Sequence, residues 1–328
     1  MRSKTISTRW PALLLIALAA IGCGCSAVAP APAQPIEIRC AVLPILDTLP
    51  LYVAEAEGAF ADEGIALSFV TAGSAAERDQ LLQAGQVDAI ITDLVALALY
   101  NRGVESRSQA SVVAVRLAMV PTPDAPQFRI LASGASAITT PADLATVPIG
   151  VSEGTVIEYV TDRMLEAEGL APHEIVTLAV PGIPERMALL NEGELQAATL
   201  PEPLASLAMQ QGARVVVDDT THRDLSASVY AIRRAFLDEH PDAVLRFLRA
   251  VDRASAAINA DKARWSDLLV ERQLIPTPLE GRYPLPDYPS PAVPTAAQFA
   301  DVIAWLQATQ GLQPAPPYEA VITDAYLN

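Results

Sequence analysis

The chain has 328 residues, 51% hydrophobic and 18% charged, and its 38 Asp and Glu against 22 Lys and Arg leave a net charge of −16. So acidic a surface repels phosphate backbones, and with no basic patch along the chain nucleic-acid binding is excluded. Three cysteines supply no disulfide framework, but a chain this long can bury about three quarters of its extended surface, enough for two cores without cross-links.

At the N-terminus, Arg2, Lys4 and Arg9 precede an apolar run from Ala12 to Ala20, the pattern of a cleaved signal peptide over residues 1–22. The run is too short to span a bilayer core, which takes about 20 apolar residues. Removing the three basic residues of this leader takes the net charge to −19. Leu18-Ala19-Ala20-Ile21-Gly22-Cys23 resembles a bacterial lipobox, so Cys23 is expected to carry acyl chains, with Cys25 as a second candidate and simple secretion as the alternative. Residues 23–35 are rich in Ala and Pro and read as a tether. The expected location is the cell membrane, lipid-anchored, on the extracytoplasmic side.

A strand over Ile36 to Leu43 and a helical stretch from Leu49 to Gly64 begin the folded part. Then comes the first copy of an internal repeat. Glu77-Arg78-x-x-Leu81-Leu82-x-x-Gly85 recurs 108 residues later as Glu185-Arg186-x-x-Leu189-Leu190-x-x-Gly193. Each copy follows a strand (Ala66 to Thr71; Ile175 to Val180) and precedes another (Val87 to Asp93; Leu195 to Leu200). The helices before those strands end at Gly64 and Gly169, where a left-handed cap residue fits. Strands alternating with helices imply parallel sheets covered on both faces, and two such halves make two α/β lobes, expected over 36–125 and 126–215. Residues 216–328 are expected to return to the first lobe through Ser228 to Ile232 and the helix Ala243 to Ala260, followed by a proline-rich stretch and a helix over Ala296 to Gln307. Two copies are too few for a solenoid.

In such sheets ligands bind beyond the carboxyl ends of the strands, where helix N-termini present free N–H groups. The loops so selected are Pro44 to Tyr52, Gly73 to Glu77, Thr92 to Leu94, Ser152 to Tyr159 and Leu200 to Pro203.

Leu49-Pro50-Leu51-Tyr52-Val53-Ala54-Glu55-Ala56-Glu57-Gly58-Ala59-Phe60, Leu82-x-x-Gly85-Gln86-Val87-Asp88-Ala89, Pro141-Ala142-Asp143-Leu144 before Ile149-Gly150-Val151, Glu202-Pro203, and His240-Pro241 to Ala250 occur in this order. Over about residues 36–260 the chain resembles the solute-binding proteins of ABC importers for nitrate, sulfonates and thiamine-pyrimidine precursors. The resemblance implies a two-lobed, periplasmic-binding-protein-like type II α/β fold, each lobe a mainly parallel sheet flanked by helices, with a ligand cleft between lobes. It also implies a membrane permease as partner. Pro44-Ile45-Leu46-Asp47-Thr48-Leu49-Pro50 is most similar to the thiamine-pyrimidine and riboflavin branch, which makes riboflavin or a related heterocycle the expected ligand. The scarcity of basic residues in the loops agrees, because small dianions recruit Arg or Lys. Expected ligand-binding residues are Asp47, Thr48, Tyr52, Ser74, Glu77, Asp93, Ser152, Thr155, Tyr159 and Glu202: the tyrosines to stack, the others to hydrogen-bond. Each has a plainer role open to it, the tyrosines as packing aromatics and Asp47, Ser74 and Thr155 as helix caps. Asp88 follows a helix end and reads as structural.

Gly150-Val151-Ser152-Glu153-Gly154 matches the G-x-S-x-G nucleophile elbow, so a secreted serine esterase using Ser152 is the competing class. A triad would need one of His173, His222 and His240, and no Gly-rich oxyanion loop precedes them. The eukaryotic relatives of the resembled family include a pyridoxal-phosphate-dependent synthase. Its lysine, histidine and cysteine-rich segment have no counterpart here, since the only lysine beyond the leader is Lys262. Three scattered histidines offer no metal-ligand spacing. No cofactor and no catalysis are expected, and a surface adhesion or sensor module shares the anchor.

Overall fold

The computed structural model describes residues 34–109 and 111–327. The leader, Cys23, Cys25 and most of the tether lie outside the described residues.

The first segment runs β1 (Ile36–Val42), α1 (Leu49–Ala56), α2 (Ala59–Asp62), β2 (Ile65–Thr71), α3 (Ala75–Gln83), β3 (Ala89–Asp93), α4 (Leu94–Tyr100) and β4 (Val112–Met119). The second runs β5 (Phe128–Ala132), β6 (Pro148–Val151), α5 (Val156–Ala167), β7 (Val176–Ala179), α6 (Ile183–Glu192), β8 (Ala197–Pro201), α7 (Leu204–Gln210) and β9 (Arg214–Asp218). The chain then continues through β10 (Ser228–Arg233), α8 (Arg234–Glu239), α9 (Pro241–Ala260), α10 (Ser266–Glu271), α11 (Ala296–Gln310) and α12 (Tyr318–Val321).

Two five-stranded sheets result, in the orders β2-β1-β3-β10-β4 and β7-β6-β8-β5-β9. The order is the same in both once the repeat is superposed, and in both the fourth strand is the odd one. β10 runs antiparallel to β3 and β4, and β5 antiparallel to β8 and β9. The sheets are therefore mixed, where alternation alone implied parallel ones. The reason lies in the connections. β5 and β10 are the strands by which the chain comes into one lobe from the other, and it arrives from the carboxyl end of the other sheet, so the arriving strand runs down against its neighbours. The second sheet continues to Asp218, past residue 215, because β9 pairs with β5 through Arg129↔Asp218.

Local sequence accounts for the elements that carry the cleft. The strands are dominated by buried Val, Ile and Ala, as two-sided burial requires. α3 and α6, the repeat helices, are followed by Gly85 and Gly193 with φ of 65° and 80°, the left-handed conformation that ends a helix at little cost for glycine. α9 buries Ala243, Val244, Phe247, Leu248, Val251, Ala254 and Ile258 on one face and packs on α1 and α2, with Phe247 stacked on Phe60 at 5.6 Å between ring centroids. Asp88 is structural in kind: its carboxylate receives Arg39 Nη2 at 2.7 Å and Arg233 Nη2 at 2.9 Å, tying β1 to β10. Burial works to raise that carboxyl, and the hydrogen bonds from Arg39 and Arg233 overcome it and hold it below the usual range. No helix among the described residues is long and apolar enough to cross a membrane.

Candidate functional site

The chain passes between the sheets twice, from Met119 to Phe128 and from Asp218 to Ser228. Both crossings leave from the carboxyl end of a strand, so the gap between the sheets opens where the parallel strands end. A single residue ties the crossings together. The buried Asp219 carboxylate accepts from the backbone N–H of Gln127 at 2.9 Å, from that of Phe128 at 3.2 Å, and from the Ser226 hydroxyl. Burial pushes its carboxyl up to about 6 despite those bonds.

A third element joins the lobes on another flank. α11 packs on α4 of the first lobe, and its Asp301 and Trp305 reach α5 of the second. Tyr159 donates its hydroxyl to Asp301 at 2.8 Å, Arg163 Nε lies 3.0 Å from the same carboxylate, and Trp305 Nε1 donates to Asp162 at 2.8 Å.

Between the lobes, beside the crossings, lies a cavity of about 150 Å³. The first lobe contributes Ile45, Leu46 and Asp47 from the loop after β1, Arg78 from α3, Ile91, Thr92 and Asp93 from β3, and Met119. The second contributes Phe128, Val156, Pro201 and Glu202, the crossings Pro126, Gln127, Ala227 and Ser228, and the proline-rich tail Tyr283 and Pro286. Thr92 Oγ1, Gln127 Nε2 and Ser228 Oγ are buried in this wall without a hydrogen-bond partner. Buried polar atoms are almost always paired. Three of the unpaired ones belong to residues that line this one cavity.

The charged groups in the wall are acidic. Asp93 caps α4, accepting from Ala96 N at 2.9 Å, and stands opposite Ser228 in the β3–β10 register. Burial raises the Asp93 carboxyl, against the Ala96 N–H and the charge of Arg78. Burial also raises that of Asp47, reinforced by the charge of Asp93 and opposed by the Ser228 hydroxyl, which stands close to this carboxylate but outside hydrogen-bonding geometry. Glu202 accepts from Arg129 Nε at 2.6 Å. Tyr283 stands beside it, its hydroxyl pushed well above the ordinary range by burial and then by the Glu202 charge.

Of the ten residues expected to bind ligand, the cavity wall includes Asp47, Asp93 and Glu202. The other seven have partners elsewhere. Thr48 is buried and donates to Leu43 O at 2.8 Å. Tyr52 packs on Phe69 at 4.8 Å between centroids, with the Arg272 guanidinium over its ring. Ser74 caps α3, its Oγ accepting from Glu77 N, and the Glu77 carboxylate accepts from Gly73 N. Thr155 caps α5 and donates to Ser152 O at 2.6 Å. Tyr159 lies against Trp305 on α11. Ser152 donates to Pro181 O and accepts from Arg186 Nη1 at 2.9 Å; among the described residues no histidine bonds to it. The polar cavity residues that strand-end reasoning does not reach are Arg78, Gln127, Ser228 and Tyr283. The repeat singles out Arg78, but nothing in the sequence orients a helix residue to a cleft.

The fold is shared with solved structures of low identity. The periplasmic aliphatic sulphonate binding protein SsuA from Escherichia coli is 18% identical, over 90% of this chain and 100% of that one, with a TM-score of 0.74. The ligand-binding component of an ABC-type import system from Staphylococcus aureus, with zinc bound, is 14% identical over 89% and 98%, at 0.69. The desulfurization enzyme DSZB is 16% identical over 89% and 98%, at 0.64. One fold thus serves binding proteins and an enzyme, and the site must decide between them. No curated protein sequence matches the chain. The model of the NMT1-like family matches residues 31–269, most of the described body and both lobes, and the chain belongs to that family.

Proposed function

We propose that this chain is the solute-binding component of an ABC importer, capturing a small polar organic molecule between its lobes and delivering it to a membrane permease. The observation that carries this reading is the cavity itself, lined by residues of both lobes and of both crossings, among them Thr92, Gln127 and Ser228 with unpaired buried polar atoms. Ligand would complete those groups and favour the closed arrangement by its differential affinity for it. Two of the structural neighbours are described as binding proteins of import systems or of sulphonates.

Among ligands, a one-ring heterocycle such as a thiamine-pyrimidine precursor suits a cavity of about 150 Å³. Riboflavin, with three fused rings and a polyol, calls for a pocket in the usual range above roughly 300 Å³, so it requires the lobes to stand further apart. Sulfonate and nitrate are the remaining members of the panel. The lipid anchor at Cys23, with Cys25 as alternative, belongs to the same reading, since it would keep the receptor beside its permease on the extracytoplasmic face.

Titration calorimetry of the purified protein with riboflavin, thiamine pyrimidine, taurine and nitrate tests it. Micromolar binding of one of them, worth about 8 kcal/mol, and loss of that solute's uptake in a strain lacking the protein are the expected results. Silence from all four together with unchanged uptake of each would overturn it.

A further inference from the structure

The charge inventory of the cavity goes further than its size, on the footing that the cavity is the solute site proposed above. Asp47 and Asp93 face it from the first lobe and Glu202 from the second. The two guanidinium groups close to these carboxylates are already committed. Arg78 donates to Ile91 O at 3.1 Å, to the Tyr100 hydroxyl at 2.9 Å and to Asp79 at 3.0 Å. Arg129 donates to Glu202 at 2.6 Å and lies 3.4 Å from Asp218. Five carboxylates therefore share two guanidiniums, and neither fork is left free to take an oxyanion in the bidentate manner that anion sites use.

A metal ion is the first cation such a wall suggests. Among the described residues, however, no three His, Cys, Asp or Glu side chains gather closely enough to hold one. Carboxylates that do not gather into a three-ligand cluster suit a larger cation whose charge and N–H groups are spread over a ring. The rest of the wall agrees: Ile91, Met119 and Phe128 offer an apolar face to a ring.

We infer that the cleft takes an organic cation, a single flat ring bearing a protonated nitrogen or an amidine-type pair of N–H groups directed at Asp47 and Asp93, and that it rejects oxyanions. This sets the chain apart in ligand charge from the neighbour named for sulphonates, although the fold is the same.

The test holds the ring constant and varies only the charge. The purified protein is titrated at neutral pH with 4-aminopyridine, which is a cation there, with neutral pyridine and with anionic pyridine-4-sulfonate. The aminopyridinium is expected to bind at least about tenfold tighter than either of the others, a margin of 1.4 kcal/mol. Asp93→Asn, which keeps an oxygen for the Ala96 cap, and Asp47→Asn should each erase most of that margin while the melting temperature holds. Equal or tighter binding of the sulfonate overturns the inference, as does failure of the aminopyridinium to bind. Neither result touches the importer reading, which rests on the uptake measurement.

Discussion

Arg78 and Arg186 stand 108 residues apart at the same point of the internal repeat, and their surroundings differ completely. Arg78 is enclosed by Asp79, Tyr100 and the Ile91 carbonyl at the cavity wall. Arg186 is fully buried in the second lobe, donates only to Ser152 and the Val180 carbonyl, and leaves Nε and Nη2 without partners. With no carboxylate beside it, burial lowers its guanidinium to about 10.

Substitution by methionine should therefore separate the two. Met keeps the stem that Arg186 lays over Gly150 while removing an uncompensated charge, so Arg186→Met is expected to stay within about 1 kcal/mol of the parent. Arg78→Met strips partners from Asp79 and Tyr100 and should cost about 3 kcal/mol. Urea unfolding of both variants checks the order, and an Arg186 variant that loses more than the Arg78 one refutes it.

Asp162 supplies a pH signature. Burial raises its carboxyl to about 6, against the Trp305 hydrogen bond and Arg163 and with help from the charges of Glu158 and Glu166. A folded-state value above the unfolded one means the protonated form favours folding, so this contribution is full below the unfolded value near 4 and is lost as pH rises through 6. Asp162→Asn retains an oxygen for Trp305 and should be more stable than the parent at pH ~8 by about 1 kcal/mol, discounted for partial exposure, and flatter between pH ~5 and ~8. Unfolding midpoints across that range decide it.

Asp219 holds both crossings by its carboxylate. Asp219→Ala leaves the Gln127 and Phe128 N–H groups buried and unpaired, at an expected cost of about 3 kcal/mol. Asp219→Asn should restore part of that. Thermal melts of the two variants, with small-angle scattering to follow lobe separation, provide the measurement; equal melts for both would show that the carboxylate does not bind the crossings together.

Tyr159 tests the α5–α11 joint separately from the cavity. Tyr159→Phe removes the hydroxyl that Asp301 accepts from and should cost about 1 kcal/mol of stability. Because the ring lies against Trp305 and outside the cavity wall, affinity for the solute should change by less than about twofold, within 0.4 kcal/mol. A tenfold loss of affinity without loss of stability would place Tyr159 in the ligand site instead.

The division between sequence and structure follows from range. Hydrophobic alternation, glycine at helix ends and the 108-residue offset are local or self-referential signals, so two α/β lobes with a cleft at the strand ends were legible without coordinates. The same reasoning named the loops that bring Asp47, Asp93 and Glu202 to the cavity, because strand ends and helix caps are local too. It could not show that β5 and β10 run against their neighbours, since strand direction is set by how the chain arrives from the other lobe. Nor could it sort Tyr52 and Tyr159, whose helical spacing is the same whether a ring faces a cleft or a neighbouring helix. Above all, charge balance at the site belongs to the tertiary structure. Whether Arg129 is free or spent on Glu202, 73 residues away, and whether Tyr283 of the tail reaches the wall, depends on contacts between distant segments. Those contacts decide which polar groups remain for a ligand.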